Sequence, residues 1–326
     1  MPIPLFTDPV PDNGYRWWYL DGVSDDSQHA ITVIIFIGSV FSPYYARARK
    51  KGSTPANAHC AINVALYGAP WRWCMTERNQ TSLETSAQRL AIGKSYLQLE
   101  SDKSESGKLR VVIDELAMPV PMRVQGEITV DLPDYDLQPN PLDRQNADEA
   151  LHFWQPIAPK TRMNVSFNKP DLNWQGDAYV DSNYGDVPLE ESFTSWVWSR
   201  SHAPDNSTSV VYDVIDRQGR ASTRSFRYNL DGTESDCDAP QMHKLASTRY
   251  WRIPREARTA AGARIENLQT LEDTPFYSRS RFVEHHAHGQ QVTMHESLYL
   301  DRFDTPWVRT LLPFRMPRST RPVLLD

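Results

Sequence analysis

The chain has 326 residues, with 35 Lys and Arg against 41 Asp and Glu and hence a formal charge of −6. Hydrophobic residues make up 40% and charged residues 23%, a balance that excludes a disordered chain. Mild acidity leaves no electrostatic footprint for nucleic acid, and the three cysteines (Cys60, Cys74, Cys237), which lack zinc or redox spacing, point to a reducing compartment.

The first residues, Met1 to Phe6, lack the basic start and apolar stretch of a signal peptide. The strongest apolar run, Ala30 to Phe41, is interrupted by Gly38 and Ser39 and falls short of the roughly 20 residues of a membrane-spanning helix. Tyr15–Leu20 and His29–Ile37 are aromatic and β-branched, and Ser24–Gln28 separates them as a polar loop, which predicts a β-hairpin. Leu109–Leu116 and Val124–Leu132 predict a second pair around a Pro-containing turn, and Pro133–Glu149 reads as a long loop. Further strands are expected at Thr161–Phe167, Asp177–Asn183, Ser209–Ile215, Ser222–Tyr228, Ala263–Glu272 and His295–Leu300. So many short strands predict a mostly β protein of antiparallel barrels or sandwiches.

Trp17-Trp18-Tyr19-Leu20-Asp21 opens the chain, and Trp196-Val197-Trp198-Ser199-Arg200 reopens it near the middle, each followed by a polar loop and a strand. This weak repeat suggests two barrel units in tandem, residues 1–190 and 191–326, with Asp186–Glu191 as the linker.

No Gly-rich phosphate loop and no Gly-x-Ser-x-Gly elbow is present. The cluster His285-His286-Ala287-His288 has no companion carboxylate or Cys at ligand spacing and reads as a solvated turn, so no metal site is expected. The stretch from Leu151 to Asn183 is richer. In an extended chain His152 and Trp154 share one face, as do Tyr179, Asp181 and Asn183. A carboxyl beside a phenol, an indole and an imidazole suits general-acid chemistry in a dry pocket; the alternative is a polar strand face turned to water. Trp17, Trp18, Tyr44, Tyr45, Trp73, Trp196 and Trp198 are either core residues or, together, the lining of an apolar channel.

Several blocks carry a family resemblance: Gly14–Asp21, Phe36–Tyr45, His59–Gly68, Trp71–Arg78 and Leu151–Arg200. They resemble the acyclic carotenoid 1,2-hydratases, also called hydroxyneurosporene synthases, of purple bacteria. The Tyr179-x-Asp181-x-Asn183 element also resembles a wider group of double lipocalin-like proteins that includes pericyclic cyclases, which implies two lipocalin-like antiparallel barrels, the first carrying the catalytic residues. The hydratase resemblance implies cofactor-independent addition of water to the terminal C1–C2 double bond of lycopene or neurosporene. It maps four functional positions onto His152, Trp154, Tyr179 and Asp181, with the aspartate as proton donor, and leaves Asn183 and the channel aromatics to hold the polyene. A non-catalytic lipid carrier and a cyclase are the competing readings. A substrate dissolved in the bilayer further implies a cytoplasmic enzyme resting on the inner or photosynthetic membrane, with Arg47–Lys51 as a candidate for meeting headgroups.

Overall fold

Runs rich in Val, Ile, Thr and aromatic residues become strands along most of the chain, because branched and planar side chains pack well on a pleated surface. The computed structural model describes residues 6–100, 107–143, 149–260, 262–286 and 289–319. It is mostly β, and its internal contacts divide it into two units: residues 1–140, 151–188 and 310–326 in one, residues 141–150 and 189–309 in the other.

In the first unit the chain forms β1 (Tyr15–Ser24), β2 (Ala30–Ile37), helix α1 (Pro43–Arg49), β3 (Cys60–Tyr67) and β4 (Arg72–Arg78). Next come β5 (Leu83–Thr85), β6 (Arg89–Ile92), β7 (Ser95–Glu100), β8 (Lys108–Ala117) and β9 (Met122–Asp131). The two-residue β10 (Asn140–Pro141) lies within the stretch read as a long loop, of which 144–148 fall outside the described residues. Two long strands, β11 (His152–Lys169) and β12 (Asp171–Gly185), complete the series. The hydrogen-bonded path runs β4-β3-β2-β1-β12-β11-β9-β8-β7-β6-β5, so the first strand pairs with the last.

Period-two alternation sorts the side chains of this sheet. One face carries Trp18 and Leu20 of β1, Ile31, Val33 and Ile35 of β2, Ile62 and Val64 of β3, and Ala178 and Val180 of β12. These join Leu109 and Val111 of β8 and Ile128 and Val130 of β9 in one aliphatic core, which requires the sheet to curl. Where its limbs meet, Arg78 of β4 donates to Glu115 of β8 at 2.8 Å, and Ser95 donates to the other carboxylate oxygen at 2.8 Å. Burial nonetheless pushes the Glu115 carboxyl above the usual carboxylate range.

The segment expected to present basic residues to headgroups is partly helical. Ser42 caps α1 by accepting from the backbone N–H groups of Tyr44 and Tyr45, and Pro43 opens the helix. Arg49 folds back over the Tyr45 ring at 4.2 Å, while Arg47, Lys50 and Lys51 are exposed.

The second unit begins with the short helix α2 (Leu189–Ser192), followed by β13 (Phe193–His202), β14 (Thr208–Asp216), β15 (Ala221–Tyr228) and β16 (Glu234–Asp236). Then come β17 (Gln241–Leu245), β18 (Arg255–Thr259), β19 (Arg264–Asp273), β20 (Tyr277–His286) and β21 (Gly289–Tyr299). Its sheet runs β16-β15-β14-β13-β21-β20-β19, again with first strand against last, and β17 pairs with β18 separately. The two Trp-rich strands of the sequence, β1 and β13, thus hold the same place in their sheets. Helix α3 (Leu300–Phe303) follows, helix α4 (Pro306–Arg315) leads the chain back into the first unit, and β22 (Arg318–Ser319) of that first unit pairs in parallel with β4.

Candidate active site

The strand β12 buries both of its faces. Ala178 and Val180 enter the aliphatic core, and Tyr179, Asp181 and Asn183, all at most 2% exposed, occupy the opposite face. Asp181 and Asn183 therefore do not face water. Nor do they belong to the face that carries the aliphatic core of the curled sheet. The small cavity there, among Trp18, Leu20, Leu97, Leu109 and Val180, is apolar and lies across the sheet from the carboxyl.

Tyr179 and Asp181 sit two apart, and the phenol donates to Asp181 Oδ2 at 2.7 Å. Trp154 comes from β11, where it is the register partner of Asn183, and reaches diagonally along the face. Its indole N–H donates to the same Oδ2 at 2.9 Å and lies 3.2 Å from the Tyr179 hydroxyl. Two neutral donors converge on one carboxyl oxygen in a buried setting. Such donors stabilise the carboxylate left behind once a proton has been given away.

His152 stands further along. It and Tyr15 flank Gly185 as register partners on either side, and the Tyr15 hydroxyl is 2.9 Å from His152 Nδ1. A Cβ at Gly185 would come within 2.7 Å of both rings, so glycine is what lets them close over this point. Trp17 stacks on Tyr15 at 5.0 Å, extending an aromatic wall. Along β12 the His152 partner is four residues from Asp181, roughly 13 Å at strand rise.

The remaining aromatics are dispersed. Trp17 shares the face of Asp181, whereas Trp18 points into the aliphatic core against Phe6. Trp73 also lies on the Asp181 face, linked through the β1–β4 register to the row of Asp21, and Arg315 sits 4.0 Å over its ring. Tyr45 of α1 is buried, donates to the Gly14 carbonyl at 2.7 Å and stacks on His59; Tyr44 is half-buried beside Arg318. Trp196 and Trp198 belong to β13 of the second unit, where Trp196 packs edge-on against Phe193 and Tyr212. His285 pairs with Glu266 at the end of β20; Ala287 and His288 lie outside the described residues. Among the described residues no group of three or more His, Cys, Asp or Glu side chains is placed to hold a metal ion.

Sequence reasoning missed Tyr15, Tyr19 and Asp21 as members of this face. Tyr19 donates to Asp21 Oδ2 at 2.7 Å, and Asp21 is fully buried. The signal was available: Tyr19-x-Asp21 repeats the spacing of Tyr179-x-Asp181.

The sequence family described as Carotenoid hydratase CrtC matches residues 33–323. An acyclic carotenoid 1,2-hydratase of Thiocapsa roseopersicina is 43% identical over 317 residues, 97% of this chain and 76% of that protein. A protein of the same name from Rubrivivax gelatinosus is 43% identical over 323 residues, with the same coverage. One from Cereibacter sphaeroides is 32% identical over 88% of this chain and 98% of its own length. In fold, the chain is similar to an AttH crystal structure from Nitrosomonas europaea, with a TM-score of 0.60 at 12% identity, covering 87% of this chain and 91% of that one.

Proposed function

This chain belongs to the carotenoid hydratase family, and on that premise we propose that it adds water across the terminal C1–C2 double bond of an acyclic carotenoid such as lycopene or neurosporene. Asp181 is the general acid. With Oδ2 engaged by Tyr179 and Trp154, its acidic proton resides on Oδ1 and is delivered to C2. The alkene electron pair forms the new C–H bond, and C1 is left as a tertiary cation. The π faces of Trp154 and Tyr179 stabilise such a cation by about 2 kcal/mol when water is excluded. Water then bonds to C1 and gives the 1-hydroxy product. The reaction is redox-neutral, and the proposal assigns it no cofactor.

The observation that carries this reading is the convergence of two neutral donors on one oxygen of a buried carboxyl. His152, held by Tyr15, closes the far end of the aromatic wall, and Asn183 and Trp17 lie between it and the acid. For the fold as a whole we propose two lipocalin-like barrels in tandem, residues 1–190 and 191–326. The pairing of first strand with last in each sheet supports two similar units.

A hydrocarbon substrate resides in the bilayer, and no described helix is long and apolar enough to cross one. The proposed contact is peripheral. Helix α4 supports it: Trp307, Leu311 and Phe314 are 50%, 47% and 69% exposed at i, i+4 and i+7, with Arg315 at the end of the helix. An exposed apolar stripe suits the headgroup boundary.

The test is product analysis of wild type and Asp181→Asn incubated with lycopene in liposomes, without added cofactor. Gain of one water by wild type and its loss in a folded variant is the expected result. Pigment that co-purifies with both proteins and gains no water identifies a carrier instead.

A further inference from the structure

The acid does not stand alone on its face. β1 and β12 are antiparallel neighbours, with Tyr19 opposite Asp181 and Asp21 opposite Tyr179. Directly opposed residues point to the same side, with Cβ atoms about 5 Å apart. The result is a two-by-two block of two phenols and two carboxyls, each kind on a diagonal. Within each strand the phenol donates to the carboxyl Oδ2 of its own pair at 2.7 Å. The rings of Tyr19 and Tyr179 meet edge-on at 6.0 Å. Tyr19 is 5% exposed and Asp21 0%.

We propose that Asp21 is the base of the reaction and takes the proton from the water that captures the C1 cation. The inference rests on the reading of Asp181 as acid. Two adjacent carbons react, one needing a proton and the other a deprotonated water, and two carboxyls on one diagonal of the block, in distinct roles, meet those needs. When the water oxygen bonds to C1, one of its protons passes to the Asp21 carboxylate. The cycle closes when Asp21 gives up its proton and the Asp181 carboxylate takes one up on Oδ1, which restores the starting count of protons. Alkene and water become alcohol with no electrons gained or lost. Separating the two carboxyls also restrains the reverse step, in which the conjugate base of the acid strips a proton from the cation and regenerates an alkene.

Running the reaction on lycopene liposomes in D2O separates these steps. Protonation alone leaves deuterium in recovered carotenoid, whereas completed hydration adds water. In Asp21→Asn, hydration is expected to fall about 100-fold or more, in the range of a lost general base, while deuterium enters the recovered alkene. Asp181→Asn loses both signals. The ratio of exchange to hydration is internal to each sample and does not depend on the folded fraction. Tyr19→Phe, which keeps the carboxylate and removes its donor, is expected to raise that ratio less than Asp21→Asn. Asp21→Asn that hydrates within about threefold of wild type, or a folded variant that loses exchange together with hydration, overturns the assignment of Asp21 as base. A wild type that adds no water to lycopene overturns the acid reading beneath it, and this inference with it.

Discussion

The two units place a carboxylate at matching points of similar sheets and treat it in opposite ways. In the first, Asp181 on the last strand faces Tyr19 on the first and accepts from a phenol and an indole. In the second, Glu296 on the last strand faces Trp198 on the first and is held by the fully buried guanidinium of Arg279. A carboxylate paired with a fixed cation is committed to its charge. A carboxyl bound by neutral donors carries no such commitment, which suits the acid role proposed for Asp181. The surroundings follow the same division. The first unit fills the inside of its sheet with aliphatic side chains and carries Asp181 and its donors on the other face, whereas the second buries Arg200, Glu284, Thr293, His295 and Ser297 among its strands.

Replacing the acid tests this contrast most severely. Asp181→Asn is expected to lower hydration by about 100-fold or more with unfolding behaviour retained, measured as water adduct formed per unit time. In the second unit Glu296→Gln removes a carboxylate that holds the buried Arg279 guanidinium, so a stability loss of up to about 3–5 kcal/mol in denaturant titration is expected, with turnover per folded molecule little changed. The reverse pattern, loss of activity without loss of stability, would show that the second unit is not merely structural.

His295 adds a pH dependence to that unit. It is fully buried against the Glu256 carbonyl, and burial pushes its pKa down from 6.5 to about 4. The unfolded chain therefore takes up a proton that the folded chain refuses. The associated stability is complete above pH 6.5 and is lost as pH falls toward 4, amounting to roughly 3 kcal/mol at most. His295→Gln should flatten the decline in a melting series over that window.

The smallest effect concerns one hydrogen bond. Trp154→Phe keeps an aromatic face and removes the indole N–H, and a loss of about tenfold in rate is expected from one charge-assisted bond of roughly 1.5 kcal/mol. A far larger loss would mean that the indole does more than support the Asp181 carboxylate.

Much of this was legible before the coordinates. β2, β8, β9, β14 and β15 follow the aromatic and β-branched runs to within a residue or two, and β1 starts with its run at Tyr15 but continues four residues past Leu20 to Ser24. β11 was seen only from Thr161, because irregularities between Pro156 and Thr161 break the period-two pattern that marks a strand. Helix α1 was hidden by its brevity, although Ser42 and Pro43 are a cap and a first-turn proline. α4 was hidden by Pro313 in its interior. Alternation told that Tyr179, Asp181 and Asn183 share a face. It could not tell which face turns inward, because β12 is buried on both sides. Asp21 escaped because its significance lies in the register between β1 and β12, and register is a property of two strands rather than of one.

That register has a temporal side. Ser182 donates to the Trp17 carbonyl across 165 residues of sequence, and the acid meets its facing strand over a similar separation. Contacts so distant along the chain form late and slowly, because the loop between them must be closed first. The proposed hydratase site is therefore absent from every partly synthesised chain that stops short of β12. In a refolding experiment, recovery of activity marks the moment the first unit closes upon itself, after its local hairpins have already formed.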